Sequence, residues 1–463
     1  MRILLGFLAL ITLPLARGAG LEAFPIGRID GSEAGLAWIS PEALDPDRER
    51  RLVLIISPST SPKHDRPITS GVHLVSYLQV PPAAQFPPAG TAYSNYEWSV
   101  WRWIQMLAPD AVVSGIPSLT KALGDSVPCY HSRAFVPDDL PISQLHDQAI
   151  KRANRGAIEI AAAIGKHYGQ QFKSIQYQSA MAIVGRARLA HLTGGRHADD
   201  SLRGLVAQAP PMRTGKSSTY AGHLIFAELG MVQPAVAAAR IAIEKPDHKE
   251  MSDSVFMVCP LLASAGRLAS DRTFFAASCE HLERIQHLCL RQDGLYRHSP
   301  LDDAAWGRGN GFPTLGLAWV LAEMPEDFPG RAKVLASFRD HIAALAKHQD
   351  RSGMWHQVID QPSSYREFTC TCMITYAILR GMRSGWLERE RYEALADRAW
   401  EAIKLRISLD GYSFTDACTG TGKQKSLEDY FLRKAILGPD ARSGGMALMV
   451  ATERAAWERS RDK

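Results

Sequence analysis

The chain has 463 residues, 46% hydrophobic and 22% charged, with a formal net charge of +5 at pH 7. That length exceeds what one small core organises, so two domains are the default, and the composition excludes a disordered or low-complexity chain. Lys and Arg are scattered without a long basic run, which removes a nucleic-acid footprint; the mild positive balance suits an anionic substrate and equally suits solubility.

The chain opens MRILLGFLALITLPLARGAG. Arg2 supplies a short positive region, Ile3 to Ala16 an apolar run too short to span a bilayer comfortably, and Gly18 to Gly20 the small residues that follow. This order predicts a signal peptide over residues 1–19, cleaved near Ala19, with an uncleaved anchor as the alternative. No other stretch is long and apolar enough for a membrane helix. The expectation is a periplasmic or secreted protein with no stable membrane association after cleavage. Seven cysteines are an odd number in a chain large enough to fold without staples; one or two disulfides fit, a disulfide scaffold does not. No CxxC pair or HExxH occurs, and Cys370-Thr371-Cys372 lacks zinc spacing, so neither a metal nor a cofactor is expected.

Residues 20–140 are proline-rich and carry short β-like runs, RLVLIIS (51–57), VHLVSYLQV (72–80) and DAVVSGI (110–116), with a helix-like NYEWSVWRWIQMLAP (95–109) between the last two. The alternation predicts a small α/β domain whose role the residues do not define. It holds no phosphate loop and no nucleophile elbow. From 141 to 463 the pattern turns helical, with apolar residues at i, i+3, i+4 and i+7 in segments such as FFAASCEHLERIQHLCL and RAKVLASFRDHIAALAKHQ. A repeat runs through this half. QDGLYRH, DRSGMWH and LDGYSFT each follow a long amphipathic helix, and their glycines, Gly294, Gly353 and Gly411, recur at a period of about 59 residues. That period fits two helices plus loops, and helix pairs that cannot bury their apolar faces alone must stack. Roughly 320 residues at this period hold about six pairs. The reading is mainly α, an (α/α)6 toroid of helix hairpins after a small α/β domain, with an open solenoid as the alternative. In a toroid the loops at one end of the inner helices surround a central pit. The segment GLYRHSPLDDAAWGRGNGF (294–312) is such a loop, running into an inner helix.

Five segments, in order, resemble one family: YQSAMAIVGRARLAHLTGG (177–195), MSDSVFMVCPLLASAG (251–266), DGLYRHSPLDDAAWGRGNGF (293–312), GMWHQVIDQPSSYREFTCTCMITYAILRGMRSGWL (353–387) and CTGTGKQKSLEDYF (418–431). The chain from about 145 to 455 is thereby similar to the unsaturated glucuronyl and rhamnogalacturonyl hydrolases, glycoside hydrolase families 88 and 105; residues 20–140 lie outside the resemblance. The resemblance implies an enzyme acting on an oligosaccharide, in all expectation acidic, whose non-reducing uronyl end carries a C4=C5 double bond. A carboxylic acid protonates C4, water adds at C5, and the product opens and releases the partner sugar. One Asp can serve as acid and then as base, and a partly apolar surround favours its protonated form.

Asp253 matches the family's catalytic Asp; the residue also suits a helix N-cap, as do Ser252 and Ser254. Trp306 and Arg308 match its substrate-contacting pair, an indole for the apolar sugar face and a planar fork for a carboxylate. Core packing of Trp306 and an ion pair of Arg308 with Asp302 or Asp303 are the alternatives. His298 matches a pit-facing histidine or is a hydrogen-bonded loop residue. Tyr177 matches the aromatic of the first inner helix. Gly307, Gly309 and Gly311 fit close backbone approach, not phosphate binding. The sequence also departs from the family. The position of a second pit Asp is Ser217 or Ser218, the Trp two before the catalytic Asp is Met251, the last Trp of the Trp-x-Arg motif is Phe312, and a late His-Gly pair is Ser443-Gly444. Two further functions stay open: hydrolysis of a saturated uronide or other glycan, which needs a second carboxylate from Asp302, Asp303 or Glu367, and non-catalytic glycan binding.

Overall fold

A computed structural model describes residues 21–30, 33–57, 73–80, 84–86, 96–195, 198–209, 217–246 and 249–461. The expected signal peptide lies outside the described residues. The N-terminal part holds a six-stranded sheet in the order β1-β2-β4-β3-β5-β6. Its strands are β1 (Glu22–Asp30), β2 (Glu33–Ile39), β3 (Arg51–Ser57), β4 (His73–Gln79), β5 (Ala111–Val113) and β6 (Cys129–Tyr130). β3 runs parallel to both β4 and β5, and β5 to β6; the β1–β2 hairpin joins antiparallel at β4. The unbroken apolar run of β3 reflects burial on both faces, as a central parallel strand requires: Leu52, Val53 and Leu54 are wholly buried. α1 (Tyr96–Leu107), α2 (Pro117–Leu123) and α3 (Gln144–Ala153) complete this part. Val100, Trp103 and Ile104 of α1 and Leu145 and Ala149 of α3 share its core.

The rest is a ring of hairpins. Outer α4 (Ala157–Gly165) precedes inner α5 (Tyr177–Thr193), and outer α6 (Ala198–Ala207) precedes an inner helix broken into α7 (Ser217–Gly222) and α8 (Leu224–Glu228). The pattern continues with outer α9 (Val232–Glu244) and inner α10 (Ser254–Ala269), outer α11 (Arg272–Cys289) and inner α12 (Gly307–Glu323), then outer α13 (Arg331–Ala346) and inner α14 (Phe368–Arg383). Outer α15 (Arg389–Leu405) leads through a hairpin of β7 (Phe414–Cys418) and β8 (Ala435–Gly438), with α16 (Leu427–Phe431) between the strands, to inner α17 (Ala441–Arg461). Each inner helix packs on the next, and α17 closes the ring on α5. The fold is therefore the (α/α)6 toroid, not the open solenoid. Inner α12 is buried on every side from Gly307 to Leu321, whereas outer α11 buries one stripe, as a helix inside and a helix on the rim must.

The repeated glycines close the outer layer. All three adopt left-handed φ, +84°, +85° and +78° for Gly294, Gly353 and Gly411. They also meet the next outer helix: a Cβ on Gly353 would lie 2.2 Å from the Arg398 carbonyl oxygen of α15, and one on Gly411 would lie 2.5 Å from Ala163 of α4. The last repeat thus docks on the first. All seven cysteines are free thiols.

Candidate active site

The N-terminal ends of inner helices α5, α7, α10, α12 and α17 converge on one cavity of about 520 Å³. Helix N-termini present unpaired amides and positive dipole ends, so a pit built from them favours an anion. The side chains reinforce that field. Lys249, Arg308, Lys423 and Arg442 line the pit together with a single carboxylate among the described residues, Asp253. Lys423 shares its charge with Glu250 at 3.4 Å, and Arg442 with Asp440 at 3.4 Å.

Asp253 occupies the N-cap position of α10 but makes no capping hydrogen bond, and its own backbone is helical at φ −50°, ψ −32°. The capping alternative therefore does not account for its carboxylate. That side chain is 15% exposed, and Oδ1 accepts no hydrogen bond from the protein. His298 Nε2 stands 3.4 Å from Oδ1, within ionic reach but not aligned as a hydrogen bond. The other ring nitrogen, Nδ1, meets the Tyr430 hydroxyl at 2.9 Å. His298 is wholly buried and tilts against the Trp306 ring at 4.3 Å; it backs the pit rather than lining it. Asp253, His298 and Tyr430 form a line leading away from the cavity.

Arg308 is 2% exposed, and its guanidinium is held from behind. Nη1 donates to the Cys418 carbonyl at 2.6 Å and Nη2 to that of Thr419 at 2.7 Å. Its carbon lies 4.7 Å from the Trp306 ring centroid, a cation–π contact. The expected alternative, an ion pair with Asp302 or Asp303, is not formed. Asp303 is exposed and pairs with Arg297 at 3.0 Å, and Asp302 accepts from the Ala304 amide at 2.8 Å. Trp306 stands between cavity and core. It lines the cavity and packs in a small cluster with Tyr365 and Tyr430, and its Nε1 has no partner in the protein. Tyr177 also lines the cavity, edge-on to Phe312 at 5.4 Å, and burial pushes its phenol up to about 12.

None of the three candidates for a second carboxylate reaches the pit. Glu367 is fully buried as the N-cap of α14, where its oxygens accept from the amides of Thr369, Cys370 and Cys418. Asp302 and Asp303 are committed as described above. At the position of the family's second Asp, Ser217 and Ser218 both line the cavity, and Ser218 Oγ has no partner. Met251 and Phe312, the two replaced tryptophans, line it as well. Gly307, Gly309 and Gly311 allow close packing as expected: a Cβ on Gly307 would lie 2.6 Å from the His356 carbonyl oxygen. Sequence reasoning missed Lys249, Lys423, Arg442 and Tyr430. Lys423 and Tyr430 lie within the quoted segment CTGTGKQKSLEDYF; nothing local marks Lys249 or Arg442.

Fold and pit define a six-hairpin toroid with a central cavity at one end of its inner helices. Residues 238–457 match the model of Glycosyl Hydrolase Family 88, in agreement with the resemblance read from the motifs. The chain is 24% identical over 172 residues to the unsaturated 3S-rhamnoglycuronyl hydrolase of Alteromonas sp. (strain LOR), covering 35% of this chain and 42% of that protein. It is 28% identical over 211 residues to the unsaturated rhamnogalacturonyl hydrolase YesR of Bacillus subtilis (strain 168), covering 43% and 58%. The chain thus spans about half the length of these curated relatives. A crystal structure of a possible member of family GH105 from Klebsiella pneumoniae superposes with a TM-score of 0.56 at 22% identity, covering 70% of this chain and 97% of that one. It shares the toroid.

Proposed function

We propose that this protein is a glycoside hydrolase that hydrates the C4=C5 unsaturated uronyl end of an acidic oligosaccharide, and that it is exported. The observation that carries the reading is a single carboxylate among the described residues, Asp253, set among four cationic side chains at the convergence of helix N-termini. Asp253 in its acid form gives its proton to C4 as the C4=C5 π electrons form the new C–H bond. Positive charge then develops at C5 and the ring oxygen. Water attacks C5 and returns a proton to the Asp253 carboxylate, so one residue works in both directions. His298, hydrogen-bonded to Tyr430, stands 3.4 Å from the carboxylate oxygen it faces, within ionic reach. Arg308 takes the uronate carboxylate, which C5 carries, and Trp306 offers its indole to the sugar face. The hydrated ring opens and releases the partner sugar.

Retaining or inverting hydrolysis of a saturated glycan needs two carboxylates flanking the bond, and the described lining offers one. The deciding experiment is a screen of lyase-generated oligosaccharides that follows the absorbance of the conjugated double bond. The reading predicts loss of that absorbance with at least one uronide. Release of sugar from saturated uronides, with the unsaturated set untouched, would overturn it. Export is checked by sequencing the mature N-terminus, expected near Gly20; Met1 on cytoplasmic protein would contradict it.

A further inference from the structure

Segments that build the pit are gripped from outside the toroid by the α/β domain. β7 ends at Cys418, whose carbonyl, with that of Thr419 just beyond the strand, holds Arg308. Two residues before Cys418, Asp416 sits in a bulge of the β7–β8 ladder with φ +70°. A non-glycine residue keeps a left-handed backbone only where its surroundings fix it. Here the carboxylate lies between two arginines. Arg102 of α1 approaches Oδ1 at 2.8 Å and Arg406 approaches Oδ2 at 3.1 Å, with each of the three side chains at most 9% exposed. Arg406 belongs to the toroid and Arg102 to the α/β domain. A second grip falls on α16. Arg28 of β1 pairs with Glu428 at 2.7 Å and stacks over the Phe431 ring at 4.3 Å. Between those two residues stands Tyr430, which fixes His298. A third ties the loop before α14, where the Arg366 guanidinium donates to the Pro25 carbonyl of β1.

We propose that the α/β domain is a positioning part of the active site. Arg102, through Asp416, sets the Cys418 and Thr419 carbonyls and thereby the Arg308 fork. Arg28, through α16, sets Tyr430 and thereby His298. The inference rests on the reading of Arg308 as the uronate clamp and Asp253 as the proton donor, and it gives the two arms different signatures. Loss of Arg102 leaves the buried Asp416 carboxylate to Arg406 alone, so the bulge relaxes and the fork shifts away from the uronate carboxylate. Loss of Arg28 acts on proton transfer instead.

The test uses full-length Arg102→Met and Arg28→Met, with hydrogen exchange by mass spectrometry, glucuronic acid binding by calorimetry, and steady-state kinetics. Arg102→Met is expected to speed amide exchange across 414–419 about 10-fold while α12 stays protected. Affinity for glucuronic acid falls about 10-fold with kcat within about twofold, because uniform binding alone is lost. In an Arg308→Lys background the same change adds no further loss of affinity. Arg28→Met is expected to lower kcat about 10-fold with KM near wild type. Arg102→Lys, which keeps a cation beside Asp416, restores most of the affinity. Should Arg102→Met fail to fold, Asp416→Asn cuts the same link from the other side and must reproduce the pattern. Unchanged exchange and affinity in Arg102→Met would overturn the inference, as would an additive loss in the Arg308→Lys background. Exchange and glucuronic acid binding need no turnover, so a wild-type protein inert on unsaturated uronides would sink the proposed reaction while these readouts still decide the positioning role.

Discussion

Replacing Arg308 by lysine separates its two jobs. The guanidinium reaches backward to the Cys418 and Thr419 carbonyls at 2.6 and 2.7 Å and lies against the Trp306 ring. Only some of its five N–H donors are used there, so the remainder can serve a carboxylate in the pit. An ammonium on a flexible stem keeps the charge, cannot span both carbonyls and has no planar fork. Folding should lose about 1–2 kcal/mol, the scale of one or two net hydrogen bonds in a buried setting. Uronide binding should lose a further charge-assisted bond, about 1–3 kcal/mol, or roughly 5- to 150-fold in Kd. Calorimetry with glucuronic acid and glucose as a matched pair reads the effect. The expectation is a loss confined to the uronide, with glucose binding altered by less than about threefold. Equal losses for both sugars would show that Arg308 only braces the β7 hairpin and would refute its assignment to the carboxylate.

Backbone geometry predicts opposite signs for two glycine substitutions. Gly353→Ala places a Cβ 2.2 Å from the Arg398 carbonyl oxygen at φ +85° and should destabilise by about 2–4 kcal/mol. Gly204→Ala, on the open face of α6 with nothing within 4 Å, should instead stabilise by about 0.5–1 kcal/mol; urea denaturation of the two variants checks both. His281 is pushed down to about 4, chiefly by burial, and its Nε2 meets Ser254 Oγ at 2.9 Å. The unfolded chain binds a proton near pH 6.5 that the folded chain refuses until about pH 4, so stability falls as pH drops through that window, by up to about 3 kcal/mol. In His281→Gln the Tm should lose that part of its decline between pH 6.5 and 4; an unchanged decline would remove His281 from the effect.

Periodicity carried much of the fold. β3 stands at 51–57, β4 at 73–79 and α1 at 96–107, because continuous apolar runs and a 3.6-residue stripe are local signals. The β1–β2 hairpin was not legible: Pro25 and Gly27 read as breakers, which an edge strand tolerates. The glycine period revealed the hairpin repeat, since each of those turns needs a left-handed residue without a Cβ. At the site, Asp253, Trp306, Arg308 and Tyr177 were legible from their motifs, and the structure gathers them at one pit with His298 behind it. Their partners were not legible. The carbonyls that orient Arg308 lie 110 and 111 residues away in sequence, and the asparagine-free bulge at Asp416 gives no sign of its φ. Lys249, Lys423 and Arg442 come from three separate segments and meet only at the folded pit. Glu367 shows the converse: an acidic residue beside a motif looked available, yet buried amides consume both of its oxygens.

The central claim is that Asp253 moves the proton. Asp253→Asn is nearly isosteric, and the carboxylate makes no capping bond that folding would miss. The measurement is the initial rate of double-bond absorbance loss on an unsaturated uronide for wild type and the Asn variant, with binding of the same oligosaccharide measured alongside. The account predicts a fall of about 100- to 10,000-fold in rate with affinity nearly intact. A variant that turns over at close to the wild-type rate would contradict it.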